Sequence, residues 1–109
     1  MNQLPTLTHL QFLVIGLLLE SVSSGRSLRA RLKENGARKS GPAFYQLMAR
    51  LEDSGLVEGR YVKQSVSGQT VRERHYDVTT PGRTAWRASQ EFYAYIAAQV
   101  SPSDRLSHA

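Results

Sequence analysis

The sequence predicts an α+β fold, mostly helical, in which three helices and a β-hairpin precede one last helix. Apolar residues recur at helical spacing as far as Gly55. The segments Leu56–Val66 and Thr70–Val78 are instead rich in Val, Tyr and Thr, and Ser67-Gly68-Gln69 forms a natural hairpin turn between them. A Thr-Thr-Pro start at residues 79–81 then predicts a helix that continues to about residue 100.

Length and composition indicate a single domain with a hydrophobic core. The chain has 109 residues, of which 40% are hydrophobic and 21% are charged, so a core can form without cross-links. It has no cysteine, which excludes disulfide scaffolds, zinc ribbons, iron–sulfur sites and thiol catalysis. The longest apolar run, Phe12–Leu19, has eight residues and is too short to span a bilayer. We therefore expect a cytoplasmic protein with no membrane partner.

The first helix is predicted to begin near His9, because Thr8 and Gln11 have the spacing of a capping box. Both of its faces are apolar. One face carries Leu10, Leu13, Val14 and Leu17, and the other carries Phe12, Ile15 and Leu19. A helix that is apolar all round must be buried on both sides, and a chain of 109 residues offers little to bury it twice. The pattern therefore predicts a second subunit.

The second and third helices follow a break of small residues after the first. The second is predicted to continue to about Asn35, where Gly36 is placed as a C-terminal stop. The third begins at Ser40 as its N-cap, has Pro42 in its first turn and ends before Gly55. Its inner stripe is formed by Phe44, Leu47, Met48 and Leu51.

The positive charge is concentrated in one segment. Between Arg26 and Lys39 there are six basic residues and one acid, Glu34, so this segment alone accounts for the net charge of +5. A basic segment on a neutral body favours an anionic partner, with nucleic acid first and acidic lipid second. The alternative is a solvated face that keeps the protein soluble.

The predicted element order is that of a winged helix-turn-helix domain. The third helix of such a domain fits the major groove of DNA. Here its N-terminus, the positive end of the helix dipole, lies beside Arg38 and Lys39, which suits it to phosphate. The far end of the hairpin would be the wing. Arg72 and Arg74 share a strand face with Tyr76 and Val78, so the arginines would extend beyond the core on the same side.

Three stretches of sequence together form a recognisable pattern. They are Leu17-Leu18-Leu19-Glu20 with Gly25, Leu28 and Leu32; Ser40, Phe44-Tyr45, Leu47-Met48, Arg50-Leu51-Glu52 and Gly55-Leu56-Val57; and Arg74-His75-Tyr76, Val78-Thr79 and Gly82-Arg83. Over roughly residues 10 to 90, the pattern resembles the PadR-like transcriptional regulators. The resemblance implies a DNA-binding regulator, usually a repressor, that is dimeric through its last helix. It also implies the small subfamily with a short C-terminal region.

The chain departs from the family pattern near the third helix. Arg26 stands where the family commonly has an aromatic residue, and Gly41-Pro42 reverses the usual order of proline and glycine. Ala43 replaces a hydroxyl residue and Gln46 replaces a proline. These changes concern the base contacts rather than the fold. The resemblance places Tyr45 where family members touch the DNA backbone or groove, and it implies the same role here.

The predicted DNA-binding residues lie on the second helix, the third helix and the wing. We expect Arg26, Arg29 and Lys33 to bind phosphates, because long flexible cations position DNA without specifying its sequence. Gln46 can read adenine, and Arg50 can reach guanine or phosphate. The full predicted set is Arg26, Arg29, Lys33, Lys39, Ser40, Tyr45, Gln46, Arg50, Arg72 and Arg74.

For each of these candidates a structural role is the alternative. Tyr45 could pack over the elbow between the second and third helices. Arg50 could pair with Glu52 or Asp53, and the wing arginines could pair with the acids beside them in sequence. The cations of the second helix could be solvated without a partner.

The last helix predicts a homodimer, because it carries an apolar stripe opposite Arg87 and Glu91. The predicted interface residues are Phe12, Ile15, Trp86, Ser89, Phe92, Tyr93, Ile96 and Val100. In a two-fold dimer the aromatic rings would flank a flat cleft. The resembling family uses this region for planar aromatic effectors, which implies a small planar hydrophobic effector in contact with Trp86 and Tyr93. The alternative is that these rings simply fill the interface.

Neither catalysis nor a cofactor is expected. The histidines His9, His75 and His108 lie far apart in sequence with no carboxylates at ligand spacing, which argues against a metal site. The sequence contains no GxSxG, P-loop or GxGxxG motif.

Two functions therefore remain, and the basic segment favours the first. One is a dimeric regulator that binds a pseudo-palindromic operator in double-stranded DNA. The other is a winged-helix module that binds protein and lacks DNA contacts. We expect residues 8–80 to form the DNA-binding domain, residues 81–100 the dimerisation helix and residues 101–109 a flexible tail.

Overall fold

The computed structural model describes residues 6–100, which form four helices and a three-stranded antiparallel sheet. In chain order the elements are α1 His9–Glu20, β1 Ser23–Ser24, α2 Gly25–Glu34, α3 Gly41–Asp53, β2 Val57–Val66, β3 Gln69–Val78 and α4 Thr80–Gln99. The predicted α+β winged helix-turn-helix class with a further C-terminal helix is confirmed. The tail predicted at residues 101–109 lies outside the described residues. No helix within residues 6–100 is long and apolar enough to cross a membrane.

Side-chain caps fix where the helices begin. The Thr8 hydroxyl accepts a hydrogen bond from the Gln11 amide, and the Gln11 side chain accepts one from the Thr8 amide, which confirms the capping box. Ser24, Ser40 and Thr79 cap α2, α3 and α4 with their hydroxyl groups. These caps satisfy amides that have no partner within a helix, so short polar residues decide the boundaries.

The hairpin of β2 and β3 pairs along its whole length, from Val57 opposite Val78 to Val66 opposite Gln69. Its turn consists of two residues, Ser67 and Gly68, with φ of 52° and 80°. Two consecutive positive φ values give the type I′ turn, whose twist matches that of paired strands. The sequence prediction of a three-residue turn was therefore wrong by one residue, because Gln69 already belongs to the ladder.

A third strand, β1, lies where the sequence predicted only a break. Ser23 pairs with Tyr76 and Ser24 pairs with His75. Two serines carry no alternation of polar and apolar residues, so no periodic signal marks them as a strand. Ser24 also caps α2, and β1 therefore attaches the start of α2 to the base of the hairpin.

The core lies between the three N-terminal helices and the base of the sheet. Its fully buried side chains include Val14, Ile15, Leu28, Leu32, Phe44, Met48 and Leu51. Three of the four residues predicted for the inner stripe of α3 are among them, and Leu47 packs against the core while partly buried. This core fixes the positions of α2 and α3 relative to each other.

Two residues predicted for a dimer interface are buried within the single chain. Ile15 is 0% exposed in the core, and Ser89 is 1% exposed in the first half of α4, which packs on α1. There the Trp86 ring stacks on Phe12 at 5.1 Å. Side chains without accessible surface cannot contact a partner, so these two predictions were wrong. The chain buries more of α1 by itself than its length suggested.

Candidate nucleic-acid interface

A groove between α2 and the segment leading into α3 collects most of the predicted phosphate-binding cations. It encloses about 430 Å³ and is lined by Arg26, Arg29, Ala30, Lys33, Arg38, Lys39 and Tyr45. We call it the basic groove. Five of its lining residues are cations and none is an acid, so the groove concentrates positive potential. Arg38 was missing from the predicted site, although it belongs to the same basic segment.

The basic groove is shaped by one long-range hydrogen bond. Arg29 Nε donates to the carbonyl oxygen of Lys39 at 2.9 Å, which ties α2 to the segment before α3. Ser40 follows directly, and its hydroxyl accepts from the Ala43 amide at 3.3 Å. The Ser40 hydroxyl, predicted to contact DNA, therefore acts as the N-cap of α3 in this structure.

Arg31 belongs to the basic segment but lies outside the basic groove. Its guanidinium donates to the carbonyl oxygen of Leu17 at 3.0 Å and to the hydroxyls of Ser21 and Ser23 at 3.2 and 3.0 Å. It also pairs with Glu20 at 3.4 Å. The Leu17 carbonyl oxygen also accepts a hydrogen bond from the Ser21 amide at 3.3 Å, so Arg31 supplies it with a second donor and ties α2 to the end of α1. Arg31, one of the six cations of the basic segment, therefore has a structural role.

The exposed side of α3 carries Tyr45, Gln46 and Arg50. Tyr45 is 46% exposed, and its ring meets Phe44 edge-on at 5.0 Å. Its hydroxyl lies against Gly25, where an added Cβ atom would stand 2.9 Å away. Tyr45 therefore lies beside the start of α2 and still presents about half of its surface. Within residues 6–100 no ion pair involves Arg50, and the neighbouring acid at position 52 pairs elsewhere.

A second groove separates α3 from the wing, the name we use for the β2–β3 hairpin. It encloses about 610 Å³, and its walls include Tyr45, Ala49, Glu52, Tyr61, Arg72 and Arg74. We call it the wing groove. Arg26 and Tyr45 line both grooves, so the two form one continuous concave surface across α2, α3 and the wing.

The two wing arginines differ in their partners. Arg74 Nη2 lies 2.7 Å from Glu52 Oε1, and the two side chains are 27% and 26% exposed. The Arg72 guanidinium is exposed and lies 4.4 Å from the centre of the Tyr61 ring, while that of Arg74 lies 4.8 Å from the same centre. The alternative to DNA contact was a pairing of these arginines with Glu73 or Asp77 on the same strand, but the acid that binds Arg74 comes from α3.

At the floor of the wing groove the pKa values of Arg74 and Tyr76 are shifted, in part by Glu52. The hydrogen bond to Glu52 raises the pKa of Arg74 above its ordinary value, and burial opposes that shift. Burial chiefly raises the pKa of Tyr76 to about 12, and the charge of Glu52 adds to the increase. Arg74 thus stays charged and Tyr76 stays neutral beneath it.

A separate apolar region runs along α1 and α4. The indole nitrogen of Trp86 donates to the carbonyl oxygen of Phe12 at 3.2 Å, and Gly16 leaves room for the indole ring. Tyr93 meets the Phe12 ring edge-on at 5.7 Å and the Phe92 ring at 5.5 Å. Trp86 and Phe12 also border a groove of about 490 Å³ on α1. Further along α4 the exposed apolar side chains are Tyr93, Tyr95 and Ile96, and Val100 follows as the C-cap of the helix.

The histidines within residues 6–100 do not form a metal site. His75 lies 3.8 Å from Glu73 and 3.4 Å from the Gln64 amide nitrogen on the neighbouring strand. Across the described residues, no group of three or more His, Asp and Glu side chains could hold a metal ion. His108 lies outside the described residues.

Solved structures resemble this chain in fold over most of its length. A PadR-like transcriptional regulator from Bacillus cereus matches with a TM-score of 0.72 at 17% identity, over 92% of both chains. A PadR family transcription regulator from Clostridium difficile matches with a TM-score of 0.71 at 18% identity, over 84% of this chain and 93% of the other. PadR of Bacillus subtilis, in complex with operator DNA, matches with a TM-score of 0.62 at 17% identity, over 90% and 65%.

No protein-family model and no curated protein matches the sequence. The likeness to solved structures covers 84–92% of this chain, and at these identities it concerns the fold. It confirms the resemblance seen in the sequence. The chain has the winged-helix fold of the PadR-family transcription regulators.

Proposed function

We propose that this protein is a dimeric, sequence-specific DNA-binding transcription regulator. The observation that carries the proposal is the basic groove, in which five cations and no acid lie beside the exposed side of α3. A helix of this kind fits the major groove, and cations at its N-terminal end reach the flanking phosphates. The operator complex of Bacillus subtilis PadR, which has the same fold, supports the proposal.

The contacts divide by chemistry. Arg26, Arg29, Lys33 and Lys39 bind phosphates, because flexible cations position the duplex without reading it. On α3, Gln46 reads adenine and Arg50 reaches guanine or phosphate, while Tyr45 packs against the backbone at the groove edge. All three α3 side chains are exposed, which this division of roles requires.

Dimerisation through α4 follows from the half of that helix that its own chain leaves uncovered. Tyr93 is 44% exposed, Ile96 is 45% exposed and Val100 is 40% exposed. Apolar side chains of this size on one helix favour burial against a second copy. With residues 8–80 as the DNA-binding domain and 81–100 as the dimerisation helix, the two-fold dimer binds half-sites about one helical turn apart, or a small multiple of it.

Regulation by a small molecule would use the same aromatic region. A planar hydrophobic effector would contact Tyr93 and the accessible part of Trp86. Such a molecule changes DNA binding only if it binds the two dimer arrangements unequally. Repression in the cytoplasm is the mode that the family resemblance supports. Saturable change in Trp86 emission, lost in Tyr93→Ala, would support the effector site, and its absence across a panel of planar compounds would remove it.

The test of DNA binding is a mobility shift on arbitrary duplex at low salt, where even non-specific binding is strong. We expect a shift that weakens as salt rises, followed by enrichment of a pseudo-palindrome from random duplex pools. No shift at low salt would favour the protein-binding module instead. For the dimer, light scattering at micromolar concentration should give the mass of two chains, and a chain ending at Arg83 should give the mass of one.

A further inference from the structure

The floor of the wing groove holds an ion pair that joins two elements far apart in sequence. Glu52 lies in the last turn of α3 and Arg74 lies on β3, and their charged atoms are 2.7 Å apart. Tyr61 of β2 stands opposite Arg74 in the ladder, and its ring lies beneath both wing guanidiniums. The arrangement therefore connects the helix proposed to read bases with the hairpin whose arginines are expected to contact DNA.

Gly59 of β2 has no side chain, and this leaves the space in which Glu52 and Arg74 meet. A Cβ atom added at Gly59 would overlap Glu52 Oε1 and would lie 2.7 Å from Arg74 Nη2. The backbone at this position does not have a positive φ, so glycine is required by space rather than by conformation. The obstructed atoms are the ends of flexible side chains, so an alanine would displace the ion pair while leaving the strand intact.

Charge explains why Arg72 and Arg74 can share one aromatic ring. Two guanidiniums within 4.4 and 4.8 Å of the Tyr61 centroid repel each other, but Glu52 neutralises the second. Arg72 is left as the exposed, unpaired charge of the cluster within the described residues, stacked on Tyr61. Stacking orients its guanidinium and leaves its donors for a phosphate.

We propose that the Glu52–Arg74 ion pair sets the distance between α3 and the wing, so that Arg74 is a positioning residue and Arg72 is the DNA contact of the wing. The proposal rests on the proposed function. It revises the sequence-based assignment of Arg74 as a direct contact. It also gives Glu52, an acid on the DNA-facing side of the protein, a favourable role in binding.

The positioning role predicts that removing the charge of Glu52 lowers DNA affinity, whereas electrostatic repulsion alone predicts that it raises DNA affinity. If Glu52 were only a negative charge near DNA, Glu52→Gln would strengthen binding, because it removes repulsion and frees Arg74 for a phosphate. If the ion pair positions the wing, Glu52→Gln weakens binding to the selected operator by about three- to tenfold. Glu58→Gln is the charge-matched control, since Glu58 is exposed on the other face of β2, and it should not weaken binding.

Two further variants separate position from charge. Gly59→Ala keeps every charge and should weaken operator binding about as much as Glu52→Gln. Arg74→Gln should do the same, and the Glu52→Gln/Arg74→Gln double variant should be no weaker than either single one, because each removes the same connection. Tighter binding by Glu52→Gln, unchanged binding by Gly59→Ala, or additive losses in the double variant would each overturn the proposal. Thermal unfolding of each variant checks that the fold persists.

A distance measurement tests the positioning without DNA. The chain has no cysteine, so nitroxide labels at Asp53→Cys and Ser65→Cys report the spacing between α3 and the wing tip, with excess unlabelled protein to isolate single labelled chains. We expect one narrow distance distribution in the otherwise native protein and one about twice as broad with Glu52→Gln or Gly59→Ala. Equal widths would overturn the proposal. If the native protein binds no duplex, the proposed function fails while this measurement still decides the positioning.

Discussion

The basic groove and the wing are both rich in arginine, but they hold their charges differently. No acid lines the basic groove, where Arg29 makes one hydrogen bond to a backbone carbonyl. In the wing Arg74 is bound to Glu52 and shares the Tyr61 ring with Arg72. Cations without nearby acids give strong, salt-dependent attraction, whereas paired and stacked cations give a fixed geometry. The two regions therefore differ in the partners of their cations as well as in net charge.

The largest effect should come from emptying the basic groove. We expect Arg29→Ala/Lys33→Ala to weaken binding to every duplex about 100-fold and to reduce the slope of log affinity against log salt by about 2, because two phosphate contacts are lost. Arg83→Ala/Arg87→Ala on α4 removes the same charge from exposed positions outside both grooves. If the control pair lowered affinity and slope as much, the groove would not be the binding surface.

Arg31 offers the matched contrast to Arg29 on the same helix. Because Arg31 satisfies groups at the end of α1, we expect Arg31→Ala to lower the free energy of unfolding by about 2 kcal/mol, measured by denaturant titration. Its salt slope for DNA should match that of the native protein. Arg29→Ala removes one exposed hydrogen bond, to the Lys39 carbonyl oxygen, so it should lower stability less than Arg31→Ala does and should reduce the slope. A reduced slope for Arg31→Ala would contradict the division between structural and binding arginines.

Gln46 tests whether α3 reads bases. Gln46→Ala should weaken binding to the selected operator about tenfold, since a bidentate contact to adenine is lost, and should leave binding to arbitrary duplex unchanged. Competition between the two duplexes measures the ratio directly. Gln90→Ala on the exposed side of α4 is the control. Equal losses on both duplexes would assign Gln46 to the backbone instead.

The smallest effect should come from the wing. Arg72→Ala removes one contact from an exposed side chain, so we expect about threefold weaker binding and a salt slope reduced by about 1. Arg60→Ala removes the same charge from the opposite face of the hairpin and should change neither. An unchanged slope for Arg72→Ala would confine DNA contact to α2 and α3.

Local signals in the sequence predicted most of the fold because the boundaries depend on neighbouring residues. The Thr8–Gln11 capping box, Ser40 as N-cap and Gly36 as a stop all act within one turn of helix. β1 was missed because its pairing with Tyr76 and His75 is long-range and its two serines carry no pattern. Ile15 and Ser89 were assigned to a partner because periodicity identifies an apolar face without showing which surface covers it.

For the candidate site, the sequence located the cations but could not identify their partners. The basic run contained Arg38 and Arg31 alike, yet the first lines the basic groove and the second closes α1. The Glu52–Arg74 pair spans 22 positions, and only the hairpin register brings Tyr61 opposite Arg74. A two-residue turn at Ser67-Gly68 is enough to give that register, whereas contact with α3 depends on tertiary packing.

The hydroxyl of Ser89 lowers the stability of the packing of α4 on α1. It is buried, and no group within residues 6–100 hydrogen-bonds to it. Burying a hydroxyl without a partner opposes folding by about 1 to 3 kcal/mol, which offsets part of what the Trp86–Phe12 stacking contributes. α4 can therefore separate from α1 by local opening more easily than its aromatic contacts suggest. Amide hydrogen exchange along α4 would reveal that opening, and Ser89→Ala would slow it.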